Sequence, residues 1–82
     1  MPSNDRADRI GVELARILRE ERERKGASMT GLGERAGLSQ QMISYIERGL
    51  RKPTLDTLIR ITDALEVDLP RLIQSAIDRT HG

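Results

Sequence analysis

The chain has no cysteine, no tryptophan and no phenylalanine; its one tyrosine is Tyr45 and its one histidine is His81. Without cysteine, no disulfide can staple the fold and no thiolate can bind a metal or attack a substrate. With one aromatic residue, the core must be built from Leu, Ile, Val, Ala and Met. His81 falls in the expected C-terminal tail, so no Ser-His-Asp or Cys-His set can be assembled. There is also no glycine-rich phosphate loop and no cluster with metal-ligand spacing. An enzyme is therefore not expected, nor is a metal or cofactor. No apolar run approaches a membrane span, and the Met1-Pro2-Ser3-Asn4-Asp5 start is polar, unlike a signal peptide. The missing cysteines fit a reducing compartment, and a cytoplasmic location is expected.

What is present is charge. One third of the 82 residues are Asp, Glu, Lys or Arg, yet the net charge is only +1. The distribution is uneven. Between Arg35 and Pro53, the cations Arg35, Arg48, Arg51 and Lys52 face Glu47 alone. Beyond Thr54, Arg60, Arg71 and Arg79 are outnumbered by Asp56, Asp63, Glu66, Asp68 and Asp78. Helical periodicity and cap residues predict an all-α domain of five helices over residues 8–79, flanked by flexible segments 1–7 and 80–82. Helix one should run from Asp8 to Lys25, with Ile10, Leu14, Ile17 and Leu18 facing inward and Gly26 as its stop. Its alternating charges suggest Arg16–Glu20, Arg19–Glu23 and Glu20–Arg24 pairs on a solvated face that includes Glu21. Ser28 caps helix two, Met29 to Ala36, and Gly37 ends it. Ser39 caps helix three, Gln40 to Arg48, and Gly49 ends that. Thr54 caps helix four, Leu55 to Leu65, with Leu55, Leu58, Ile59, Ile61, Thr62 and Leu65 expected inward. Asp68 caps helix five, Leu69 to Arg79, where Pro70 is tolerated in the first turn.

Helix three carries the functional signal. Ile43 and Ile46 make one side apolar, while Gln40, Gln41, Ser44, Tyr45 and Arg48 offer a polar face. Such a face suits base edges in a major groove. The ordered set Gly37-Leu38-Ser39, Ile43-Ser44-Tyr45-Ile46-Glu47-Arg48-Gly49 and Lys52-Pro53-Thr54-Leu55 resembles the lambda-repressor-like helix-turn-helix family, also called the xenobiotic-response-element (XRE) family, of bacterial and phage regulators. Leu18 and Arg22 ahead of Gly26, then Ser28 and Leu32, and later Ala64-Leu65-Glu66-Val67 and Leu72 extend the resemblance from Leu14 to Ile73.

The resemblance implies a compact five-helix domain that inserts helix three into the major groove of double-stranded DNA. It implies base contacts from Gln40, Gln41, Ser44 and Tyr45, since glutamine can bond adenine bidentately. Phosphate contacts are expected from Ser28, Thr30, Ser39, Arg48, Arg51 and Lys52. Arg22 and Glu47 match positions that pair across helices one and three, a structural role. Met29 stands where many relatives carry a phosphate-binding glutamine, and Gly33 stands where alanine is usual. The function so implied is a sequence-specific regulator, a repressor or autoregulator acting on a palindromic operator as a homodimer. The apolar residues Ile73, Ala76 and Ile77 of helix five are the expected dimer surface. The alternatives are an antitoxin with a toxin partner, and an interaction module that keeps the fold without binding DNA.

Overall fold

The computed structural model describes residues 5–81. Its elements are five helices: α1 (Asp5–Arg24), α2 (Met29–Ala36), α3 (Gln40–Glu47), α4 (Leu55–Leu65) and α5 (Leu69–Arg79). The chain is thus all-α, with the element order expected. Residues 5–7, expected to be flexible, belong to α1, whose first turn holds Asp5 and Asp8 where carboxylates favour the helix dipole. Thr80 and His81, also expected to be flexible, follow α5 with their amides bonded to the Ile77 and Asp78 carbonyls, while residues 1–4 and 82 lie outside the described residues. At the other end α1 stops at Arg24, one residue short of the expected Lys25.

Three hydroxyls start three helices. Ser28 Oγ accepts from the Gly31 amide at 2.9 Å, Ser39 Oγ from Met42 at 3.0 Å, and Thr54 Oγ1 from Thr57 at 3.1 Å. Each satisfies one of the amides that has no partner within its own helix. Asp68 occupies the corresponding position before α5, but its side chain makes no capping hydrogen bond. Pro70 in the first turn already removes one donor that a cap would have served. Gly37 ends α2 at φ 72°, a left-handed conformation that costs glycine little. Glu66 ends α4 in the same region, at φ 57°, without that freedom.

The core is aliphatic throughout. Leu14, Ile17 and Leu18 of α1 meet Leu32, Ile43, Ile46, Leu58, Ile61, Leu65, Leu72 and Ala76. Helix α1 packs most extensively on α5, and α2 packs on both α3 and α4. Thr62 is buried because its hydroxyl donates to the Leu58 carbonyl, 2.8 Å away, within its own helix. Two residues expected inside α4 face solvent instead: Leu55 is 63% exposed and Ile59 44% exposed. On a 100° wheel they lie on the flank of α4, away from the Leu58, Ile61 and Leu65 stripe.

The α1 charges also differ from expectation. Arg19 pairs with Glu23, but Arg16 pairs with Glu13 and Arg24 with Glu21. Glu20 reaches across to Arg79 of α5 at 2.7 Å, and Glu21 is buried, bonded to both Arg24 and Arg71. Glu21 is therefore no part of a solvated face. It occupies a core-facing position of α1, where two guanidinium groups replace the water it has lost.

Among the described glycines, Gly33 allows the closest approach. A Cβ there would stand 2.5 Å from the Leu38 carbonyl oxygen, and the Leu38 amide donates to the Gly33 carbonyl at 2.8 Å. The turn between α2 and α3 folds directly over this glycine, and that fixes how the two helices meet.

Candidate nucleic-acid interface

Helix α3 is held from behind. Ile43 and Ile46 are each 1% exposed, and Glu47 completes the buried side. The Glu47 carboxylate takes two hydrogen bonds from Arg22 of α1, Nε at 2.7 Å and Nη2 at 3.0 Å, while Arg22 Nη1 donates to the Ala27 carbonyl at 2.9 Å. The side chains of Arg22 and Glu47 are 11% and 4% exposed. The hydrogen bond to Glu47 holds the Arg22 guanidinium above its ordinary pKa, against the effect of burial. A bidentate pair fixes direction as well as distance, so it sets the orientation of α3 against α1.

The opposite side of α3 is open. Gln40, Gln41 and Arg48 are exposed, and Ser44 and Tyr45 are half-buried. Arg48 is the residue that closes the helix, with φ −86°, rather than its last turn. Gln41 Nε2 donates to the Tyr45 hydroxyl at 2.6 Å, one turn along. The Leu50 and Arg51 amides both donate to the Tyr45 carbonyl, at 2.9 and 3.3 Å, and this ties the following loop to the end of α3.

Around this face the cations divide. Arg35, Arg48 and Arg51 pair with no carboxylate among the described residues; the Arg51 guanidinium instead reaches the Met42 sulfur, at 3.8 Å. Lys52 bonds Asp8 of α1 at 2.8 Å, a contact that sequence reading missed because the two are 44 positions apart. That pair is 81% and 48% exposed, so water weakens it and a phosphate could compete for the lysine. Arg35, exposed in the last turn of α2, was also passed over, although it belongs to the basic stretch.

Ser28, Thr30 and Ser39 are exposed at the starts of α2 and α3. Neither helix has an acidic residue in its first turn. The positive ends of both helix dipoles are thus left without an internal anion. Met29 is half-buried against the core, which accounts for an apolar residue where the resemblance leads one to expect a glutamine.

The helix five residues do not form one surface. Ala76 is 0% exposed and belongs to the core, so it cannot contact a second copy; Ile73 and Ile77 are half-buried. The small side chain of Ala76 lets α5 lie close against its neighbours.

Two short helices joined across a glycine turn, the second pinned on one side and polar on the other, define a helix-turn-helix protein. The helix-turn-helix family model matches residues 18–72, and the chain belongs to this family, of the XRE type. An uncharacterised HTH-type transcriptional regulator of Mycobacterium tuberculosis is 47% identical over 51 residues, 62% of this chain and 36% of that protein. An uncharacterised HTH-type transcriptional regulator of Sinorhizobium fredii is 38% identical over 73 residues, 89% of this chain and 90% of that protein. The HTH-type transcriptional regulator SlrR of Bacillus subtilis is 36% identical over 63 residues, 76% of this chain and 41% of SlrR. The matched region thus spans about a third of the mycobacterial relative and nearly all of the Sinorhizobium one. No helix among the described residues is long and apolar enough to cross a membrane.

Proposed function

We propose that the chain regulates transcription by reading a DNA operator through α3. The observation that carries this reading is the division of α3 itself: one side locked to α1 by Arg22–Glu47, the other presenting Gln40, Gln41, Ser44 and Tyr45 beside unpaired arginines. The two glutamines sit at the start of α3, where a helix of this type comes nearest the base edges. Ser28, Thr30, Ser39, Arg48 and Arg51 hold phosphates, and Lys52 joins them when it leaves Asp8. Arg35 adds to the same field. Phosphate contacts supply affinity and salt dependence, while the glutamines supply sequence preference.

The regulator acts as a homodimer on a palindrome, as a repressor or autoregulator. One α3 of eight residues covers few base pairs, and two copies about a two-fold axis double the site read. Ile73 and Ile77 of α5 supply the contact, and the exposed Leu55 and Ile59 of α4 are further apolar surface for it. Selection of bound duplexes from a random pool tests both parts. A palindromic consensus with half-sites about one helical turn apart supports the reading. Retention without any consensus refutes it. Sedimentation equilibrium at tens of micromolar should show a dimer that Ile77→Asp disrupts; a wild type that remains monomeric removes the dimer.

A further inference from the structure

An apolar groove of about 400 Å³ lies behind the reading helix, between the first half of α1 and the loop joining α3 to α4. Core residues Leu14, Leu18, Ile46 and Leu58 line its inside, and Val12 and Pro53 stand along it. Val12 is 49% exposed, an apolar side chain left to water. Gly11 also lines the groove, and a Cβ at Gly11 would meet nothing within 4 Å. Glycine is a poor helix former, and no close approach demands one in the middle of α1. Its effect is to leave the groove unfilled. The polar residues lining it are Asp8, Arg51 and Lys52. Lys52 holds Asp8 at 2.8 Å, while Arg51 has no carboxylate partner among the described residues.

We infer that this groove binds a small amphipathic carboxylate, of the medium-chain fatty acid class, as an effector. Its volume falls in the range of small-molecule sites, which combine an apolar lining with a few polar groups that fix orientation. The hydrocarbon body covers Val12 and fills the space above Gly11. The carboxylate meets the Arg51 guanidinium and competes with Asp8 for Lys52. Two cations against one carboxylate leave a net positive rim, which selects an anionic over a neutral or cationic head group. Arg51 and Lys52 are also proposed phosphate ligands, so the bound carboxylate draws both away from DNA. This coupling rests on the DNA reading above; the binding itself does not.

The probe is decanoate, kept below its aggregation threshold, titrated into the isotopically labelled full chain and followed by amide chemical shifts. The expected result is a saturable shift of Gly11, Val12, Gly49 and Arg51, with decanol binding more weakly. Gly11→Met fills the groove with a better helix former and should weaken decanoate binding by at least about tenfold. In a second measurement, decanoate should weaken binding of the selected duplex by wild type and leave Gly11→Met unaffected. Absence of a saturable shift at these amides overturns the site, as does a Gly11→Met variant that binds decanoate like wild type. Decanol binding as well as decanoate overturns the anionic specificity. Shifts of these groove amides that follow protein concentration without decanoate, and that persist in Ile77→Asp, would make a second copy the occupant, and nuclear Overhauser contacts from Val12 to residues 3 and 4 would make it the chain's own start; either overturns the proposal. If decanoate binds and duplex affinity does not change, the coupling is wrong. If no duplex is bound at all, the failure belongs to the DNA reading and the amide titration still decides the site.

Discussion

The α1–α5 side and the α2–α3 side of the molecule treat their charges in opposite ways. Where α1 meets α5, cations are matched: Arg71 with Glu21, Arg79 with Glu20 and Glu13, Arg24 with Glu21. Around α2, α3 and the following loop, Arg35, Arg48 and Arg51 are left without carboxylates among the described residues. A net charge of +1 hides this difference, because pairs such as Arg71–Glu21 and Arg79–Glu20 cancel internally, while Arg35, Arg48 and Arg51 stand without a carboxylate among the described residues. What matters for an anionic ligand is the charge still free to meet it, and these three arginines stand at α2, the end of α3 and the loop that follows.

The strongest way to break the contrast is to cut the one buried pair that joins the two sides. Glu47→Ala leaves Arg22 without its carboxylate at a site with little water and should destabilise the fold by about 3 kcal/mol. Denaturant melts of Glu47→Ala, an Arg22 variant and the double replacement should show the double costing less than the sum of the singles. Simple additivity would mean that the pair contributes no coupling.

Gly33→Ala should come next, at about 1–3 kcal/mol, because its Cβ would displace the Leu38 carbonyl. Helix propensity alone gives the opposite sign, a gain of about 1 kcal/mol. The direction of the shift in a thermal melt decides between them.

On the open side, Gln40→Ala or Gln41→Ala should lose about 1–3 kcal/mol on the selected duplex and little on random DNA. Arg48→Ala or Arg51→Ala should weaken both alike and flatten the salt slope by about 0.9. Fluorescence anisotropy at several salt concentrations separates the two patterns. Equal losses on every sequence for the glutamine variants would remove them from base reading.

The smallest effect concerns acid on the matched side. Burial opposes ionisation of Glu21, but hydrogen bonds and charges from Arg24 and Arg71 outweigh it and leave the pKa below the ordinary value of 4.5. The hydrogen bond from Arg79 depresses Glu20 likewise. A depressed folded pKa means that the unfolded chain binds the proton more readily. The stabilisation is therefore complete above about pH 4.5 and is lost as pH falls through the lower folded value. Both arginines around Glu21 are more than half exposed, so solvent screening limits the contribution to roughly 1 kcal/mol. Glu21→Gln should flatten the acid limb of stability against pH and leave the neutral plateau nearly level. An unchanged acid limb would show that other carboxylates govern it.

Local signals in the sequence went furthest. Ser28, Ser39 and Thr54 announce helix starts because a cap acts over three residues, and each hydroxyl accepts from the amide three positions on. Gly37 announces the turn because the left-handed φ of 72° costs glycine little. The resemblance placed Arg22 beside Glu47, and in the structure their side chains meet at 2.7 Å. Contacts between distant segments were not legible. Lys52–Asp8, Arg71–Glu21 and Arg79–Glu20 join residues 44, 50 and 59 positions apart, and charge alternation on α1 suggested local partners instead. Leu55 and Ile59 misled because apolar residues on α4 cover more of the wheel than its neighbours bury. Ala76 misled in the other direction: its place on α5 looked like surface, and its small size put it in the core.

The Gln41–Tyr45 hydrogen bond couples two of the side chains proposed to read bases. Gln41 Nε2 donates to the Tyr45 hydroxyl at 2.6 Å. A phenol hydroxyl can donate as well as accept, so the amide can turn end for end and keep its partner. In the proposed reading, an adenine edge, which offers its donor and its acceptor in a set order, meets a glutamine already tethered in place and still able to match either order. The hydroxyl acts as a swivel: it fixes where the amide sits and leaves its direction to the base.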